Sequence, residues 1–116
     1  DYACNHQNRL NSGYADGFGA EIFSDDILKI ILEEAISIDN KEHVTQYIWE
    51  NQEKFNIEAV DAPKELSYPS LRFDVDTEDD LLLMSRLVDN GIDIDSSASE
   101  IITRYNLLID NKILNC

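Results

Sequence analysis

Positive charge is scarce in this chain: nine Lys and Arg stand against 24 Asp and Glu in 116 residues, a net charge of −15. Nucleic acids and anionic membranes are recognised through basic surface, so neither is expected as a partner. A phosphate-bearing ligand would need a divalent cation or positive groups supplied from elsewhere. Cysteine is scarcer still, with only Cys4 and Cys116. That excludes a disulfide framework and a C-x-x-C metal site, and makes a cytoplasmic protein the default. His6 and His43 are too few and too scattered for a zinc site, and neither G-x-S-x-G nor a phosphate loop occurs. No apolar run approaches the roughly 18 residues of a membrane span, and no signal peptide is visible. Repeats and low-complexity tracts are absent. The only methionine is Met84 and the chain opens at Asp1-Tyr2, which reads as a removed leader or a piece of a longer polypeptide. The length suits one domain with one core.

What the chain does have is concentrated in Leu71-Arg72-Phe73-Asp74-Val75-Asp76-Thr77-Glu78-Asp79-Asp80-Leu81. Leu71, Phe73 and Val75 alternate with Arg72, Asp74 and Asp76 in the two-residue period of a half-buried strand. Thr77 and Asp80 then imitate a capping box, with an acid in place of the usual Glu or Gln. Asp76 is thus expected at the carboxyl end of a strand, the edge where open α/β sheets bind ligands, and becomes a candidate metal ligand beside a phosphate. Glu78, Asp79 and Asp80 need no such role, because the macrodipole favours acids in any first helical turn. Asp74-x-Asp76-x-Glu78 and Asp93-x-Asp95-x-Ser97 look like calcium-loop starts, but neither has Gly at the sixth position or Glu at the twelfth.

Along the chain, residues 1–19 are rich in Asn, Gly and Asp and read as loop. Ala20 to Phe23 reads as a short strand. Ser24 caps a helix with Asp25 and Asp26 in its first turn and a broad apolar face from Ile27 to Ile36. A second helix is expected from Lys41-Glu42 to about Glu53. At its mouth His43 reads as a surface histidine. Phe55, Ile57 and Ala59 alternate as a strand, while Pro63 and Pro69 make the segment that follows a connection. After the Leu71 strand, a helix from Glu78 to about Asp89 ends at Asn90-Gly91, and Ser97 with Glu100 opens a last helix to about Leu107. The expectation is an α/β fold, a small mixed sheet packed with about four helices and holding both the Phe55 and the Leu71 strands.

Four blocks then follow in order: Asp1-Tyr2-Ala3-Cys4-Asn5, Tyr14 to Ser24, Lys41 to Ile48, and Arg72 to Leu81. This series resembles the carboxyl-terminal half of cytidylyltransferases of the spore-coat-polysaccharide type, relatives of the enzymes that make CMP-activated acidic sugars. It covers about residues 1–88, leaving 89–116 as a helical tail on a single unit. The family pattern often has Pro where this chain has Ala15, Gln46 and Glu78, and Ser where it has Cys4.

The resemblance implies a partial nucleotidyltransferase fold. In such enzymes a hydroxyl of a sugar or sugar acid attacks the α-phosphate of CTP and releases pyrophosphate, with Mg2+ against the developing charge. It makes Asp76 a metal ligand and puts Asn5, Asp16, Glu21, Glu42, His43 and Thr45 on the substrate side. The family's glycine-rich nucleotide loop and second metal-binding Asp belong to an amino-terminal half that these 116 residues lack. The chain is therefore expected to be inactive alone, and a homodimer of the parent enzyme is compatible with the reading. The alternative is a non-catalytic acidic interaction module derived from the same fold.

Overall fold

A computed structural model describes residues 1–111, with the backbone alone for Lys41 and Glu42. In chain order the elements are β1 (Tyr2–Cys4), α1 (Gln7–Leu10), β2 (Glu21–Phe23), α2 (Asp25–Glu34), α3 (Ile38–Glu42), α4 (Gln46–Glu50), β3 (Ile57–Ala59), α5 (Glu78–Asp89) and α6 (Ala98–Asp110), with short 3-10 turns at Gln52–Lys54 and Lys64–Leu66. The result is a small α/β protein whose three-stranded mixed sheet has the order β2-β1-β3. β1 runs antiparallel to β2, with Tyr2 opposite Phe23, and parallel to β3, with Tyr2 opposite Ile57.

The segment 1–19, expected as loop, thus contains the central strand and α1, while residues 11–19 form no helix or strand element. Its Tyr2 and Cys4 are buried, and Asn11 closes α1 in the left-handed region that asparagine tolerates, at φ 52°. The Ser24 hydroxyl accepts from the Ile27 amide at 3.4 Å, and α2 buries Ile27 and Ile31, one turn apart, on the sheet. The single helix expected over 41–53 is instead split into α3, α4 and a 3-10 turn. His43 leaves helical geometry at φ −114°, ψ 83°, and the β-branched pair Val44-Thr45 follows it.

The Leu71 strand is overturned as well. Arg72 makes only an isolated parallel bridge to Asp16, held by Asp16 N–H to the Leu71 carbonyl (2.9 Å) and Phe73 N–H to the Asp16 carbonyl (2.8 Å). The ladder stops because the partner chain turns away at Gly17, whose φ is +92°. Both helices beyond it start as expected. Thr77 with Asp80 and Ser97 with Glu100 form reciprocal capping boxes.

Two apolar clusters result. Tyr2, Cys4, Ile27, Ile31, Tyr47 and Ile48 pack between sheet and helices; Ala15, Phe73, Leu87, Ile92, Ile102 and Leu108 pack around α5 and α6. This division makes the chain long, with extents of 51 × 30 × 24 Å and a radius of gyration of 16.9 Å, against about 13 Å for a compact domain near this size. The face of the sheet carrying Ala3, Ile22 and Glu58 stays largely open, Ile22 being 74% exposed, although a parallel pair is ordinarily covered on both faces.

Candidate functional site

A part-buried polar cluster forms where β2 begins. Glu21 Oε1 accepts three hydrogen bonds: from the Tyr2 hydroxyl at 2.7 Å, from His6 Nε2 at 2.8 Å and from the Thr45 hydroxyl at 3.0 Å. Each donor is delivered by a local device. Tyr2 lies on the strand paired with β2, His6 is the first residue before α1, and Thr45 precedes α4, aimed at Glu21 by the break between α3 and α4. Burial works to raise the Glu21 pKa, but the bonds from Tyr2, Thr45 and His6 outweigh it and hold the carboxyl below its ordinary range. Burial and then the Glu21 carboxylate push the Tyr2 phenol the other way, far above its usual value.

All three bonds fall on Oε1, and among the described residues none reaches Oε2. An ionised carboxylate with one oxygen saturated and the other open is an acceptor for a ligand hydroxyl. Because ionised Glu21 only accepts, His6 must carry a proton on Nε2. The His6 and Glu21 side chains remain about one-third and one-quarter exposed, 34% and 26%, so the cluster is reachable from solvent.

Of the residues expected at a site, Glu21 and Thr45 are brought together, joined by Tyr2 and His6. Asn5 acts one step back. Its amide donates to the Phe18 carbonyl (3.0 Å) and accepts from the Ala20 N–H (2.6 Å), clamping the loop that presents Glu21. Asp16 accepts from Asn8 Nδ2 at 2.9 Å and from the Gly17 amide at 3.2 Å. His43 is exposed at the carboxyl end of α3, not at a helix start, and makes none of the cluster's hydrogen bonds. The Glu42 side chain lies outside the described residues, as does Cys116; Cys4 is buried with a free thiol.

Asp76 stands apart, and not at a strand end. Its side chain is 70% exposed and takes a guanidinium hydrogen bond from Arg72, whose Nε and Nη2 also clasp Asp74 at 2.5 and 2.8 Å. Its own N–H donates to Asp80 Oδ2 at 3.1 Å, as part of the start of α5. Among the described residues no three His, Cys, Asp or Glu side chains are grouped to hold a metal ion, and no helix is long and apolar enough to cross a membrane. No protein-family model, curated protein or solved structure matches the chain.

Proposed function

We propose that the chain forms the sugar side of a CTP-dependent nucleotidyltransferase that activates a sugar or sugar acid for surface polysaccharide or glycan synthesis, within a partial nucleotidyltransferase fold and a cytoplasmic protein. The observation that carries this reading is the convergence of three of the four family-like blocks on Glu21, through Tyr2, Thr45 and Glu21 itself, with Oε2 left open. The fourth block is tied in by the bridge from Arg72 to Asp16. In this reading Glu21 Oε2 accepts a sugar hydroxyl, His6 Nδ1 offers a second polar atom, and Thr45 and Tyr2 keep the carboxylate ionised and fixed. The open Ala3–Ile22 face of the sheet fits a domain completed by further structure.

Phosphoryl transfer in that reaction draws on Mg2+ for charge neutralisation. The residues here do not fit such an ion by themselves. Asp76 is an exposed carboxylate already holding Arg72, and among the described residues it belongs to no group of three His, Cys, Asp or Glu side chains that could hold an ion. Any magnesium site would need ligands from outside these residues, and no step is assigned to it. The Arg72–Asp76 pair is also the specific feature favouring the other reading, an acidic interaction module without turnover.

The test is an NMR titration of the chain with hexuronic and nonulosonic acids and, separately, with CTP. The sugar reading expects millimolar-range shifts at the Ala20–Phe23 and Thr45 amides with a sugar acid, lost in Glu21→Gln, and no pyrophosphate release from CTP. Shifts that survive Glu21→Gln, or no response to any sugar acid, would overturn it.

A further inference from the structure

Away from Glu21, helix α2 carries a second surface that the sugar reading does not use. Leu28, Ile31, Leu32 and Ala35, with Val44 from the turn before α4, line an apolar groove of about 190 Å³. Leu32 is 74% exposed, and Ile36 and Ile38 beyond it are 84% and 81% exposed. Apolar residues that line one groove with exposed apolar neighbours mark an interaction surface more often than scattered ones do.

Charge says what the groove accepts: the segment from Ser24 to Val44 that supplies it carries six acids against two lysines, within a chain of net charge −15. That field opposes a second copy of the chain and an anionic membrane, and it attracts a cationic partner.

We propose that this groove docks a basic amphipathic helix of a partner polypeptide. Its apolar stripe lies against Leu28, Leu32 and Val44, and its flanking Lys or Arg residues answer the acidic surroundings. This is helix-in-groove recognition, read by anchors at i, i+3, i+4 and i+7.

The experiment uses a fluorescein-labelled 18-residue peptide of Leu and Lys arranged with helical periodicity, a scrambled peptide of the same composition, and fluorescence anisotropy at about 0.15 M salt, where surface charge is screened beyond roughly 8 Å. The periodic peptide is expected to bind at least about tenfold more tightly than the scrambled one, since only it presents a stripe. Leu32→Asp, at an exposed position that folding does not need, should weaken it about tenfold or more. Val88→Asp, on an exposed part of α5, should change it less than twofold. Equal binding of both peptides would reduce the effect to charge alone and overturn the proposal. So would full binding by Leu32→Asp, or concentration-dependent dimerisation in sedimentation that Leu32→Asp abolishes, which would make a second copy the occupant.

Discussion

Removing the Glu21 carboxylate tests the cluster as a unit. Glu21→Ala deletes one acceptor that serves three donors. His6 and Thr45 are half-buried and regain water in the variant; Tyr2, 1% exposed, cannot. The cost is therefore dominated by one lost charge-assisted bond and one stranded phenol, together about 2–3 kcal/mol from bonds to charged groups of about 1.5–3 kcal/mol and an unsatisfied-donor penalty of about 1–3 kcal/mol, taken at the low end for a side chain still partly wet. Tyr2→Phe alone should cost about 1 kcal/mol. In the double variant no phenol is stranded, so its cost should fall short of the sum by about 1–2 kcal/mol. Urea unfolding followed by circular dichroism and by Trp49 fluorescence measures all four corners of the cycle, Trp49 being the only tryptophan and in edge contact with Tyr2 at 5.5 Å between ring centroids. Additivity within about 0.3 kcal/mol would refute the reasoning.

The pH dependence has a definite sign. The folded pKa of Glu21 lies below its ordinary value of 4.5, so the folded state binds its proton less readily than the unfolded state. The stability it contributes is complete above the unfolded pKa and is lost as pH falls from about 4.5 through the lower folded value. The deficit of Glu21→Ala should thus be constant near neutrality and shrink below that point. A deficit that grows on acidification would show that another group dominates.

Three further outcomes are expected. Gly17→Ala places a Cβ 2.6 Å from the Asp74 amide nitrogen and 2.7 Å from the Phe73 carbonyl carbon at φ +92°, and should cost more than about 2 kcal/mol in urea unfolding, beyond the usual penalty for Ala at positive φ; a loss under about 0.5 kcal/mol would contradict the packing. Thr77→Ala and Ser97→Ala each remove a hydroxyl cap from a different helix and should each lower stability by about 1 kcal/mol, additively in the double variant. Asp76→Asn should leave folding within about 0.5 kcal/mol in urea unfolding, because its Arg72 pair is exposed; a loss above about 1 kcal/mol would contradict this.

What the sequence disclosed follows the range of the interactions. The starts of α2, α5 and α6 were legible because each cap joins residues three apart, as in Ser24–Ile27, Thr77–Asp80 and Ser97–Glu100. β1 was not, since its existence depends on pairing Tyr2 with Phe23 and with Ile57, far along the chain, while its own composition reads as loop. The Leu71 segment shows the converse: its alternation is that of a strand, but one bridge to Asp16 is all the pairing that the turn at Gly17 allows. At the site, Glu21 and Thr45 were expected through family resemblance, whereas Tyr2 and His6 were missed because their bonds to Glu21 span 19 and 15 residues. Arg72 did carry a signal. Arg72, Asp74 and Asp76 recur every second residue, so an extended backbone puts all three on one face, and there the guanidinium holds both carboxylates. The same period that exposes a carboxylate for a metal can fix a cation against it, so a candidate ligand in such a segment has to be weighed together with the side chains two and four residues away.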